Sequence, residues 1–273
     1  MPNLLSWVGE NGASFFPCLQ KLKILNCPKL IEVPLLPPTT KSVTVERTQK
    51  IYDLKLTPYC SSKSRKFILE ISSGHILNEG FLHQKHLEAT EVLNIRGCWG
   101  LEHAGGFRLL SSLRKLRFSQ CNMDGEQLSL CLQHLTGLAS LDIVYCQNIT
   151  SFLLPAGSRH FETLQHLCFQ DCQMLSSLAN LDSFVFLKSL IIERCIRVKT
   201  ESLPAKLEGM RSLNKLSILH CPGFQTLPSN IPLSLEFLHL TGCHPVLIQG
   251  LLEKQGPEWE KIAPFSQIKV ILK

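Results

Sequence analysis

LASLDIVYC, residues Leu138 to Cys146, is the stretch whose reading decides the fold. Leu141 and Ile143 alternate with Ser140, Asp142 and Val144, as a short strand with one buried face requires. Leu138 and Cys146 flank that pair at fixed offsets, so four apolar positions fall inward while Ala139, Ser140, Asp142, Val144 and Tyr145 are left for the other side. A single strand of this length cannot bury its own apolar face. Copies stacked side by side can, because each covers its neighbour.

Copies are present along the whole chain. Upstream stand Leu19, Leu22, Ile24, Cys27; Thr40, Val43, Val45, Thr48; Lys66, Leu69, Ile71, Gly74; Thr90, Leu93, Ile95, Cys98; and Leu113, Leu116, Phe118, Cys121. Downstream follow Leu164, Leu167, Phe169, Cys172; Leu187, Leu190, Ile192, Cys195; Leu213, Leu216, Ile218, Cys221; and Leu235, Leu238, Leu240, Cys243. The second apolar position recurs at 93, 116, 141, 167, 190, 216 and 238, in steps of 22 to 26 residues. This is the L-x-x-L-x-L-x-x-N/C signature of a leucine-rich repeat. It predicts an α/β solenoid, a curved horseshoe with a concave parallel sheet of about 10 to 11 short strands.

The chain between strands predicts mixed convex returns. Leu128, Cys131, Leu132 and Leu135 recur at helical spacing behind Asp124, a helix N-terminal signal that also places His134 on that helix. Val33-Pro34, Leu154-Pro155, Leu203-Pro204 and Leu227-Pro228 favour extended or short-turn returns instead. Ile51, Leu54 and Leu56 imitate the motif too close to Val43 for a separate coil and read as convex filling. One domain over 1–273 follows: 1–18 as the remnant of a preceding repeat, 19–245 as repeats irregular at 40–90, and 246–273 as a C-terminal return and cap in which Phe265, Ile268 and Val270 offer a last strand.

Composition narrows the function. The chain has 273 residues, 44% hydrophobic and 18% charged, enough for a packed core. Its net charge of +6 is dispersed among acidic residues, unlike the concentrated basic stripe of a nucleic-acid binder. No apolar run approaches about 18 residues, so no membrane insertion is expected. The opening MPNLLSWVGENGASFF lacks the basic and uninterrupted apolar regions of a secretory signal, which predicts a cytoplasmic or nuclear protein and an unmodified Asn148-Ile149-Thr150 sequon.

Eight of the twelve cysteines, Cys27, Cys98, Cys121, Cys146, Cys172, Cys195, Cys221 and Cys243, hold the same motif position. They are expected to turn inward and serve loop backbone groups, without disulfides; Cys168 and Cys172 do not have zinc-ligand spacing, and no metal is expected. There is no phosphate loop, H-E-x-x-H helix, G-x-G-x-x-G loop or G-x-S-x-G elbow, and His166, His220 and His239 fall at outward strand positions without a nucleophile. No catalysis and no cofactor are expected.

FPCLQKLKILNCPKL (Phe16–Leu30), LASLDIVYCQNITSF (Leu138–Phe152) and LNKLSILHCPGFQTLP (Leu213–Pro228) resemble the C-terminal repeats of plant intracellular nucleotide-binding, leucine-rich-repeat immune receptors. The ending CHPVLIQGLLEKQGPEWEKIAPFSQIKV (Cys243–Val270) is similar to the way many cereal members close. The resemblance implies a disease-resistance recognition module whose concave face meets a pathogen effector or host target. It also implies contact with the receptor's own nucleotide-binding domain, holding it inactive. Residues that would bind ATP or ADP are absent, so nucleotide binding is not implied, and the resemblance points to a segment of a longer receptor. The alternative is the substrate-recruiting repeat region of an F-box-type ubiquitin ligase adaptor.

The inward positions are committed to packing, so a partner would meet the intervening ones. The expected partner-binding set is Arg96, Arg117, Asp142, Tyr145, Gln170, Asp171, Glu193, Arg194, His220 and His239, read as exposed strand positions.

Overall fold

The computed structural model describes residues 1–7, 16–48, 67–72, 85–98, 107–154, 160–265 and 267–272. The chain divides into two compact units, Met1–Asn122 with Leu130–Gly137, and Met123–Ser129 with Leu138–Lys273.

The first unit carries β1 (Lys21–Leu25), β2 (Ser42–Glu46), β3 (Phe67–Ser72), β4 (Thr90–Arg96) and β5 (Lys115–Ser119). Consecutive strands are parallel neighbours, and their register lines up Leu22, Val43, Leu69, Leu93 and Leu116 in one row and Ile24, Val45, Ile71, Ile95 and Phe118 in another. Both rows are buried. A slip of one residue would send a whole row to water, so the buried rows fix the register. The register is interrupted between β3 and β4, where Phe67 pairs with Thr90 and Ile68 with Val92, leaving Glu91 of β4 as the extra residue. Phe107 packs on Phe118 with ring centroids 6.2 Å apart.

The second unit carries β6 (Ser140–Val144), β7 (His166–Gln170), β8 (Ser189–Glu193), β9 (Lys215–Leu219), β10 (Phe237–Thr241) and β11 (Lys269–Leu272), again parallel in chain order. Here the rows are Leu141, Leu167, Leu190, Leu216, Leu238, Val270 and Ile143, Phe169, Ile192, Ile218, Leu240, Leu272. Phe152 sits behind them, 5.3 Å from the Phe169 ring and 6.0 Å from Phe184, so aromatic side chains fill the width that the aliphatic rows leave. The fold is therefore a leucine-rich-repeat-type α/β solenoid, and every one of the ten inward pairs read from the motif lies in a strand and is buried.

Helix α1 (Gly125–Leu132) forms behind Asp124, whose carboxylate accepts the Gln127 N–H at 2.8 Å while the Gln127 side chain accepts the Asp124 N–H at 3.0 Å. This reciprocal cap satisfies backbone donors that the first turn leaves unpaired. Leu128, Cys131, Leu132 and Leu135 are all buried, as their spacing predicts. The helix ends at Leu132, which corrects the placement of His134: it lies beyond the helix, where its Nε2 accepts from Arg108 Nε at 3.1 Å. Burial, and then the Arg108 charge, hold the His134 pKa below the usual imidazole value.

The other described returns are short. A brief helix α2 (His160–Thr163) precedes β7, and 3-10 turns occupy Leu181–Ser183 and Thr200–Ser202. Residue pairs Ser151 and Ser177, and Lys206 and Ser229, bridge one return to the next. Val33-Pro34, Leu203-Pro204 and Leu227-Pro228 are buried and lie outside helices, while Pro155 lies outside the described residues, as do Ile51, Leu54, Leu56, Lys66 and Gly74. After β10 come α3 (Pro245–Leu252) and α4 (Gly256–Ile262). The expected last strand starts later than its apolar pattern suggested: Phe265 and Ile268 are spent in a turn, with Phe265 N–H donating to Ile262 O at 3.0 Å, and only Val270 of the three enters β11.

Candidate functional site

The side chains between the inward rows form an outward face on each unit. Its construction depends on what happens as each strand ends. The residue after the last strand position adopts a left-handed backbone: φ is 54° at Tyr145, 54° at Asp171, 51° at Arg194, 54° at His220 and 59° at Gly242 in the second unit. In the first unit Asn26, Arg47, Gly97 and Gln120 do the same. This reversal turns the next residue, the motif cysteine, inward. It also aims the left-handed residue's own N–H at the neighbouring coil: Tyr145 donates to Gln170 O at 2.9 Å, Asp171 to Glu193 O at 2.8 Å and Arg194 to Leu219 O at 2.8 Å.

The cysteines complete the turn. All eight motif thiols are buried and each donates to the carbonyl two residues earlier, as in Cys172 to Gln170 O and Cys195 to Glu193 O. Several also reach the previous coil, Cys172 to Ile143 O at 3.5 Å and Cys243 to Ile218 O at 3.3 Å among them. Burial pushes the thiols of Cys98 and Cys243 up to about 12 and that of Cys221 up to about 11, so they stay protonated donors. Cys195, which shares a hydrogen bond with Cys172 and is cut off from water, is pushed up as well.

Against this frame the ten expected partner-binding residues sort into three kinds. Arg96, Arg117, Asp142, Gln170, Glu193 and His239 lie on the outward side of their strands, Arg96 and Arg117 exposed and the others half-buried. Tyr145, Arg194 and His220 are exposed but are not strand residues: each stands one step past the strand, in the left-handed turn. Asp171 shares that position and is a correction on exposure too, at 7%. Its carboxylate receives Arg194 Nη1 at 3.4 Å and its carbonyl accepts from Gln147 Nε2 at 2.8 Å, both within the turn region. Arg194 also pairs with Glu193 at 2.8 Å, so these three charges are largely spent on one another.

The expected set omitted the outward position just before the second motif leucine, although strand alternation was signal enough to find it. In the second unit that position presents His166, Lys215, Phe237 and Lys269, all exposed. In the first unit the same position presents Lys21 and Lys115, both exposed, and the set also omitted Glu70, between Leu69 and Ile71, whose carboxylate accepts from Thr44 Oγ1 at 2.9 Å and Asn94 Nδ2 at 3.3 Å across three strands. Among the described residues no group of three or more His, Cys, Asp and Glu side chains is placed to hold a metal.

No protein-family model matches the chain. Over 159 residues, 58% of its length, it is 26% identical to the Arabidopsis thaliana protein SUPPRESSOR OF npr1-1, CONSTITUTIVE 1. The likeness is to a plant nucleotide-binding, leucine-rich-repeat immune receptor. It is distant, and the stretch it covers is 10% of that protein's length. No helix among the described residues is long and apolar enough to cross a membrane.

Proposed function

We propose that the outward strand faces and the left-handed turn row are a protein-recognition surface of a plant disease-resistance receptor, without catalytic activity or cofactor, acting in the cytoplasm or nucleus. Its partner is a pathogen effector or a host target, and in a full-length receptor also the nucleotide-binding domain that it restrains. The observation carrying this reading is the character of the turn row. Tyr145, Arg194 and His220 hold large exposed side chains on a backbone that glycine adopts without strain. Each such placement costs about 1–2 kcal/mol, and large amphipathic side chains held at that cost on a rigid frame suit binding. The likeness to the Arabidopsis receptor supports the immune setting.

Site-specific photo-crosslinking in plant cells tests this. A photoreactive residue at Gln170 or Arg194 should yield adducts with discrete proteins, whereas one at Ser183 or Glu208, exposed in the returns, should not. Equal adducts from both sets, or none from the outward positions, would overturn the reading.

A further inference from the structure

Across β9, β10 and β11 the register sets Lys215, Phe237 and Lys269 side by side on the outward face. All three are exposed, Phe237 at 41%, and neither lysine is ion-paired among the described residues. Adjacent strands lie about 4.8 Å apart, so the two ammonium-bearing side chains spring from backbones roughly 10 Å apart with an aromatic ring between them. One row further along the strands, the register places Ser217 between Ile191 and His239. Ser217 is only 2% exposed, and its hydroxyl has no hydrogen-bond partner among the described residues. A buried hydroxyl left unpaired is destabilising, so a polar group entering between those side chains gains more than it would at a solvated serine.

We infer that the Lys215–Phe237–Lys269 row is an anchor for a protein segment in which a carboxylate side chain neighbours an apolar one, a reading that rests on the protein-recognition function above. The carboxylate lies between the lysines, the apolar side chain covers Phe237, and the segment's backbone reaches Ser217. Charge favours a short acidic segment over a nucleic acid. Glu236, exposed, precedes Phe237 and Asp142 stands on β6, so a continuous polyanion would meet repulsion on leaving the lysine row, whereas an isolated carboxylate would not. A basic segment is opposed by the lysines themselves, through like-charge repulsion.

Fluorescence anisotropy with the full 273-residue chain provides the test. The probes are a dye-labelled peptide of alternating Glu and Phe, its copy with Lys in place of Glu, and an oligouridylate. The Glu/Phe peptide should bind saturably and more weakly as salt rises. Lys215→Glu with Lys269→Glu should lower its affinity by about tenfold or more, and Phe237→Ala should lower it as well. Ser217→Ala should weaken binding while leaving the melting temperature unchanged or higher, which a merely structural serine would not do. The inference is overturned if the Glu/Phe peptide does not bind, if the Lys/Phe copy or the oligouridylate binds as tightly, or if the lysine substitutions leave affinity unchanged in a folded chain. If crosslinks from Gln170 and Arg194 persist after any of these outcomes, the recognition surface stands and the anchor alone falls.

Discussion

Gly242 makes room for His220. A Cβ on Gly242 would lie 2.7 Å from His220 Nδ1 and 3.2 Å from His220 Cα, at a residue whose φ is already +59°. Gly242→Ala therefore meets both a steric overlap and an unfavourable backbone, and should cost about 1–3 kcal/mol in urea denaturation. In a His220→Ala background the ring contact is gone and the same substitution should cost less. An equal cost in both backgrounds would place the effect in the backbone alone.

Tyr145 occupies the equivalent turn position with the opposite balance. Its side chain is 45% exposed and its φ is 54°, so Tyr145→Gly relieves strain while removing little packing. The expected stability change is within about 1 kcal/mol of zero, with crosslinking or partner binding reduced. A large loss of stability would show that the ring is a structural element.

The thiol row makes stability depend on alkaline pH. The unfolded thiols ionise near pH 8.5, whereas burial keeps Cys98, Cys131 and Cys243 protonated up to about 12 and Cys221 up to about 11. Raised folded values mean that the native chain retains protons which the unfolded chain has released. Their contribution is complete below about pH 8.5 and is lost as pH climbs towards 12. The unfolding free energy from urea titrations should fall across that window, with a slope approaching about 1.4 kcal/mol per pH unit for each such thiol, and Cys243→Ala should flatten it.

Glu258 and Lys261 of α4 hold the Leu227 peptide from both sides. The Glu258 carboxylate accepts the Leu227 N–H, while Lys261 Nζ donates to Leu227 O at 2.7 Å and to Glu258 at 2.9 Å. Glu258→Ala leaves a part-buried N–H without its acceptor and should cost about 1–3 kcal/mol. Glu258→Gln keeps an acceptor and should cost less. Thermal melts of the two variants, compared with Lys261→Met, decide whether the clasp or the helix alone secures this return.

Leu141→Ala and Leu190→Ala each empty a fully buried position and should cost about 2–5 kcal/mol. Ser140→Ala, on the half-buried opposite side of β6, should stay within about 0.5 kcal/mol. Comparable melting shifts for Leu141→Ala and Ser140→Ala would mean that the strand faces are assigned the wrong way round.

The strands were legible because inward packing repeats the same demand in every coil: an apolar pair two residues apart, with a small inward group five residues after the first. Val43 and Val45 satisfy it even where the flanking residues are Thr40 and Thr48, and β2 forms there. The turn was not legible in the same way. Nothing in the letters Tyr145, Arg194 or His220 announces a left-handed backbone, since that conformation is imposed by the inward cysteine and the hydrogen bond to the next coil. Asp171 shows the resulting limit: the motif offsets left it on the outside, but the reversal of the chain at that residue draws its carboxylate back against Arg194. His134 was misplaced for a simpler reason, because apolar spacing continues to Leu135 while the helix stops at Leu132.

The turns that join neighbouring coils are held by backbone N–H groups, carbonyls and the thiols of one recurrent cysteine. None of those bonds passes through an outward strand side chain. An outward side chain that makes no bond to the next coil can therefore be exchanged without renegotiating those joints, whereas Glu70, bonded to Thr44 and Asn94, and Arg96, bonded to Gln120, tie neighbouring coils together. The specificity of the face can be rewritten one letter at a time, with the exceptions marked by residues such as Gly242 and Asp171, where a neighbour's side chain has already claimed the space or the charge.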